Sequence, residues 1–181
     1  MNNIYEPEFV KKLFNQMSNS YERMNYITSF GFSIRWRKQF LDKLGKSDEN
    51  LNVIDLLSGL GENWTFLKNN FPNANFHALD FSEEMISQSY KKKQKIFEDN
   101  LDLCCEDMLN NNLKSNYYDI ISCAYGLKTF NNEQLEILAK EVNRILKPNG
   151  KFSFVEVSKP KSQFLFYFYR FYLGKIIPIL G

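Results

Sequence analysis

Val53-Ile54-Asp55-Leu56-Leu57-Ser58-Gly59-Leu60-Gly61-Glu62-Asn63-Trp64 decides the fold. An apolar run closes on an acid, adds two more apolar residues, and enters a Gly-x-Gly turn. Thr65-Phe66-Leu67-Lys68 then opens a helix. Strand, tight turn, helix is the nucleotide-binding start of an α/β domain. Glycines suit the turn because, without Cβ, they accept unusual φ and ψ and let a ligand approach the backbone.

The next unit supports this reading. Ala74-Asn75-Phe76-His77-Ala78-Leu79 is a second strand that ends at Asp80, followed by Phe81. An acid about 20 residues past the glycines is placed to accept hydrogen bonds from ribose hydroxyls. Dinucleotides and S-adenosylmethionine (SAM) both use this layout. A dinucleotide fingerprint wants a third small residue where this chain has the bulky Trp64, and Glu62 is a poor neighbour for a pyrophosphate. SAM brings an amino-acid end, a sulfonium and adenosine, but no phosphate. The loop therefore favours SAM.

The same alternation continues outward. Ser82 caps a helix with Glu83 and Glu84 in its first turn and Lys91-Lys92-Lys93-Gln94-Lys95 near its end, which suits the helix dipole. Leu101–Cys105 is a third strand, trailed by Glu106 and Asp107. An acid there can meet an adenine amino group. Tyr118–Tyr125 is a nearly continuous apolar run, as in a buried parallel strand. Asn131-Asn132-Glu133-Gln134 resembles a capping box. Its helix stops at Lys147-Pro148-Asn149-Gly150, which turns the chain into a fifth strand over 151–157. The fold expected is α/β: Rossmann-like, doubly wound and mostly parallel. Ligands of such sheets lie at the carboxyl ends of the strands, where Asp55, Gly59, Gly61, Asp80, Glu106, Asp107, Ala124 and Tyr125 all fall.

Residues 1–50 show no strand-like alternation. Phe9-Val10, Leu13-Phe14 and Met17 mark an amphipathic helix. Ser33 is positioned to cap another helix, with Trp36, Phe40, Leu41 and Leu44 on its apolar face. This part reads as a helical lid before a core of residues 51–181. A chain of 181 residues with net charge +2 gives no reason to expect a nucleic-acid partner. Cys104, Cys105 and Cys123 have no metal spacing, and reduced thiols in a cytosolic protein are expected. The N-terminus lacks a basic-then-apolar signal. His77, the one histidine, lies inside strand two and reads as structural. The aromatic segment Phe164–Leu173 is too short, and too interrupted by Arg170, Gly174 and Lys175, to span a bilayer. It reads as a helix that packs on the domain or a partner, lines a greasy pocket or touches a membrane surface.

The chain resembles the ubiquinone/menaquinone-biosynthesis C-methyltransferases, class I SAM-dependent enzymes. The likeness rests on Phe14, Tyr21-Glu22-Arg23-Met24-Asn25, Ser29-Phe30-Gly31 and Arg35-Trp36-Arg37. It continues through Tyr125-Gly126-Leu127-Lys128, Arg144–Gly150, Glu156–Pro160 and Ile177–Gly181. The resemblance implies SAM contacts at Gly59, Leu60, Gly61, Asp80, Cys105, Glu106 and Ala124, and a substrate side made of Tyr21, Lys128 and Thr129. It implies methyl transfer to carbon of a lipophilic, quinone-precursor-like ring, with Tyr21 and Lys128 polarising the ring oxygen. A peripheral membrane contact and a homodimer are further expectations.

The chain also departs from the family. Leu60 replaces a threonine, and Lys128-Thr129 replaces Arg-Asn; lysine does not reproduce a planar guanidinium fork. The family continues for two more strands past this chain's last residue, so a truncated form with an exposed fifth-strand edge is expected. These departures keep two alternatives open: a methyltransferase for another small or lipidic acceptor, and a SAM-binding protein without turnover.

Overall fold

The computed structural model describes residues 4–98, 100–158 and 161–176. Three helices come first: α1 (Pro7–Met17), α2 (Tyr21–Thr28) and α3 (Phe32–Asp42). Ser33 lies inside α3 rather than capping it. The cap is Gly31, whose φ of 76° bends the chain between α2 and α3, while the Ser29 hydroxyl accepts the Ser33 N–H. The apolar face foreseen for α3 buries Phe40, Leu41 and Leu44.

The core then alternates as β1 (Asn52–Leu56), α4 (Trp64–Asn70), β2 (Asn75–Asp80), α5 (Glu83–Phe97), β3 (Leu101–Cys105) and β4 (Tyr118–Ala124). It ends with α6 (Asn132–Ile145), β5 (Leu146–Val155) and α7 (Gln163–Phe171). The sheet runs β3-β2-β1-β4-β5, and every pairing is parallel. Strand side chains alternate between two apolar layers. Val53, Phe76, Ala78 and Ile120 face α3, α4 and α5. Ile54, Leu56, Leu79 and Ile121 face α6. This is the doubly wound α/β architecture that the alternation predicts.

Local chemistry sets the element ends. Ser82 caps α5 by accepting the Met85 N–H, and Asn131 and Gln134 form the foreseen capping box on α6. Lys147–Gly150 behaves differently from the expected stop. It stays in β5 as a bulge, with Asn149 at φ 67° and the β4 register shifting between Tyr118 and Ile120. The Lys147 ammonium bonds both oxygens of Asp119, 2.9 and 2.8 Å away, which ties the bulge to β4. β5 ends one edge of the sheet among the described residues. Lys159-Pro160 and Ile177–Gly181, which carry part of the family resemblance, lie outside the described residues.

Candidate active site

Strand order reverses between β1 and β4, so the crevice opens where these two strands end. Both strand ends are strained. Leu57 has φ 52° and Tyr125 has φ 63°, a region that bulky residues rarely adopt. Such outliers persist where the surrounding structure over-determines them, often at ligand sites. Here Gly126 packs so tightly on Leu57 that a Cβ on Gly126 would overlap the leucine side chain.

Asp80 organises the cofactor side. It is 6% exposed; one oxygen accepts the Gly59 N–H at 2.8 Å and the other the Ser82 N–H at 2.9 Å. Burial raises its pKa, and these backbone bonds oppose the rise. Each oxygen keeps a lone pair for a further donor. Gly59 has φ 54°, and a Cβ there would meet only Glu62, at 3.9 Å, so its backbone faces open space.

Beneath the turn runs a buried polar chain. Asp55 accepts from Asn63 Nδ2 at 2.9 Å and Ser122 Oγ at 2.7 Å. The Arg37 guanidinium, 5% exposed, donates to Asn63 Oδ1 at 2.9 Å and pairs with Glu62 at 3.0 Å. Asn25 donates to the other Glu62 oxygen at 3.2 Å. Arg37 also lies over the Tyr125 ring, 4.9 Å from its centroid. Burial pushes the Asp55 carboxyl up to about 6, against the opposing pull of Ser122 and Asn63. Burial, then Glu62, pushes the Tyr21 phenol up to about 12, so it is protonated at neutral pH and can donate.

Not every foreseen residue reaches the same place. Tyr21, Gly59, Asp80, Phe81, Ala124, Tyr125 and Thr129 line one small cavity, together with Arg37, Ser58, Glu62 and Asn63. Asp107, Phe81 and Thr129 line a second cavity with Met108 and Gln134. Asp55 lies below the cavities as a support. Leu60 is buried, and the space a Cβ on Gly61 would occupy is filled by the Trp64 indole. The bulk that argued against a dinucleotide is thus what packs on the second glycine. Cys105 is exposed, with its thiol 3.9 Å from the Phe81 carbonyl, and Glu106 turns away to accept the Asn112 N–H. Lys128 is exposed and lines neither cavity; its backbone N–H is held by Glu156 at 3.0 Å.

Arg37, Asn63 and Ser122 were not foreseen. The signal for Arg37 was its spacing: with Phe40, Leu41 and Leu44 it occupies the i, i+3, i+4, i+7 stripe of α3 that must face the core.

The lid covers both cavities. Phe14 and Tyr21 close the first, and Tyr5, Pro7 and Val10 close the second. Each holds about 30 Å³, room for a water or two. Polar contacts join α1 and the turn after it to α5 and its cap: Lys11 with Glu83, Asn15 with Ser82 and Glu83, and Gln88 with Ser18 and Asn19. The donor set fits adenosine, with a buried carboxylate for the ribose and an unencumbered glycine backbone beside it.

A third cavity, about 1050 Å³ and open to solvent, lies on the other side of Tyr125. Trp36, Val155, Val157, Phe166 and Tyr169 make it largely apolar, with Arg170 and Glu156 among its lining residues.

Fold and site together define a class I SAM-dependent methyltransferase. The sequence profile of the ubiE/COQ5 methyltransferase family matches residues 1–181, and the chain belongs to that family. It is similar to the demethylmenaquinone methyltransferase of Lactococcus lactis, 28% identical over 176 residues, covering 96% of this chain and 68% of the relative. It is also similar to the ubiquinone/menaquinone biosynthesis C-methyltransferase of Rickettsia bellii, 31% identical over 178 residues, covering 95% and 70%.

Among solved structures, phosphoethanolamine N-methyltransferase 1 of Haemonchus contortus, with S-adenosylhomocysteine, superposes with TM-score 0.67 at 16% identity, covering 84% of this chain and 33% of that one. Geranyl diphosphate C-methyltransferase of Streptomyces coelicolor, also with S-adenosylhomocysteine, gives 0.59 at 15%, covering 66% and 42%. The chain thus spans less than half the length of these two structures, and the likeness shows the shared fold.

Proposed function

We propose that this protein transfers the methyl group of SAM to a ring carbon of a lipophilic hydroquinone-like acceptor. The observation that carries the reading is the meeting of two unlike cavities at Tyr125: a polar one built on Asp80 and Gly59, and a wide apolar one. Drug-sized ligands occupy pockets of about 300–1,000 Å³, so the apolar cavity has room for a ring and part of a tail.

When bound, SAM supplies a methyl group already activated by its sulfonium. The chain's part is to orient the partners and exclude water. Asp80 and the Gly59 backbone would hold the adenosine and amino-acid ends. Asp107 and Met108 would flank the adenine. Phe14 and Tyr21, carried by the lid, would close over the bound molecule. A ring hydroxyl must lose its proton for electron density to reach the ring carbon. Of the cavity carboxylates, Asp80 is assigned to the ribose, so Glu62, which also holds Arg37 and Asn25, would take that proton. Most of the acceleration would come from positioning. Tyr21, protonated, would donate to the ring oxygen. Lys128 remains a substrate contact only if the loop over 127–129 turns inward.

An exposed aromatic face supports peripheral membrane contact, which would suit such an acceptor. Phe164, Leu165, Tyr167, Phe168 and Phe171 are exposed along α7, and Phe30 stacks on Tyr172, 4.2 Å between centroids, to continue the face onto the lid. No helix among the described residues is long and apolar enough to cross a membrane. Sedimentation with anionic vesicles checks this contact, and sedimentation equilibrium without lipid detects a homodimer covering the same face instead.

The decisive test is transfer of labelled methyl from SAM to a short-chain prenylated naphthohydroquinone, with the product mapped by NMR. Methyl on carbon is expected. Methyl on oxygen, or transfer only to an acyclic amphiphile, would favour a different acceptor, whose charged head Arg170 and Glu156 could meet. SAM binding with no transfer to any acceptor would favour a protein without turnover.

A further inference from the structure

We infer that the Tyr125 hydroxyl is a substrate-recognition group that hydrogen-bonds the ring oxygen of a phenolic acceptor at the junction of the cofactor cavity and the apolar groove. The inference rests on the acceptor class proposed above.

Three observations carry it. Tyr125 is the residue that lines both cavities among the described residues, so an acceptor reaching from the groove toward the cofactor must pass it. Its side chain is 7% exposed, and its hydroxyl has no hydrogen-bond partner among the described residues. Its position is over-determined: the backbone holds φ 63°, the Tyr125 N–H donates to the Val155 carbonyl at 2.8 Å, and Arg37 lies over the ring. A buried hydroxyl without a partner is destabilising. A phenylalanine would fill the same space without that penalty. A hydroxyl kept at that disadvantage, on a ring held this firmly, is explained by a partner that arrives with the ligand.

Two neighbours narrow the choice. The expected oxygen contact, Lys128, is exposed and outside the cavities, whereas Tyr125 lines both of them and keeps its hydroxyl buried beside them. The acids nearest its ring environment are engaged elsewhere. Glu156 holds the Lys128 and Val157 N–H groups, and Glu62 holds Arg37 and Asn25. The Tyr125 hydroxyl can therefore both donate to and accept from a phenol.

The experiment uses the whole chain and two stable probes, 1-naphthol and 1-methoxynaphthalene, titrated with and without S-adenosylhomocysteine. The wild-type protein is expected to prefer the naphthol by about tenfold, the scale of one buried hydrogen bond. Tyr125→Phe should reduce that preference to about twofold or less. It should also melt at the same temperature as the wild type or higher, because the orphan hydroxyl is gone.

Equal binding of the two probes to the wild type, no binding of either, or an unchanged preference in Tyr125→Phe would each overturn the inference. A marked fall in S-adenosylhomocysteine affinity with the naphthol preference intact would assign the hydroxyl to the cofactor and overturn it too. A melting temperature several degrees lower would do the same by revealing a structural partner. Failure of methyl transfer with the probe preference intact would count against the proposed reaction while leaving this assignment supported.

Discussion

The two sides of Tyr125 are built in opposite ways. On the cofactor side, Asp80 is fixed by two backbone N–H groups, and Asp55, Asn63, Arg37 and Glu62 form one buried hydrogen-bonded chain. On the acceptor side, the groove is made of apolar side chains from α3, α7 and the end of β5, most of them half-buried, around an open volume. A buried polar network has few alternative arrangements, because each lost bond leaves a desolvated group unpaired. An apolar surface has many arrangements of similar energy. One side is therefore suited to a single ligand geometry, and the other to acceptors that vary in ring and tail.

Arg37 gives the strongest test of this contrast, because it joins the lid to the network. Arg37→Ala should cost about 3–5 kcal/mol in urea denaturation, since it takes the charge partner from one Glu62 oxygen and the donor from Asn63 Oδ1. Arg37→Lys should restore only part of that loss, lacking the planar fork. A cost below 1 kcal/mol would break the comparison by showing that the network carries little strain.

Asp55 comes next. Its carboxyl is about 6 when folded, against a reference of 3.8. Between those values the native state binds more protons than the unfolded one, so stability is highest below the reference value. It is lost as pH rises toward 6. The loss should amount to up to about 3 kcal/mol, taken as the difference between wild type and Asp55→Asn across denaturation curves at several pH values. Parallel curves for the two proteins would remove Asp55 from the network's energetics.

Asp80→Ala should weaken SAM by about 10- to 100-fold in calorimetry, the scale of a charge-assisted bond, with the fold retained. Unchanged affinity would sink the ribose assignment. The smallest stability effect is expected on the other side. Phe164→Ser, at a residue 79% exposed, should shift stability by no more than about 0.5 kcal/mol. It should nevertheless weaken vesicle binding. A large loss of stability there would show that α7 packs as firmly as the network does.

Much of the cofactor side was legible in the sequence, because local rules create it. The strand–glycine–helix unit, the acid ending β2, the Ser82 cap and the Asn131 capping box each depend on residues a few positions apart. The regular β/α alternation then leaves few topologies. The doubly wound sheet, the family and the SAM cofactor follow from those signals. The less legible parts depend on contacts between distant segments. Nothing near Gly61 in the sequence says that Trp64 fills its space, and nothing near Lys128 says that its loop faces outward. Ser33 looked like a cap because serine caps helices well, yet the left-handed turn at Gly31 starts α3 two residues earlier.

Arg37 shows where the division falls. Its sequence position already put a cation on the buried stripe of α3, which requires a partner. That the partners would be Glu62 and Asn63, 25 and 26 residues away, and that the guanidinium would also cover Tyr125, required the packing of α3 against the end of the sheet. The sequence by itself determined the parallel sheet, the acid at the end of β2 and the class of chemistry, because strand periodicity and turn chemistry act over a few residues. Only the tertiary structure decided which charges pair, which glycine faces open space and where the polar and apolar cavities meet. Those outcomes depend on which groups from separate segments are buried together, since a buried polar group without a partner is destabilising.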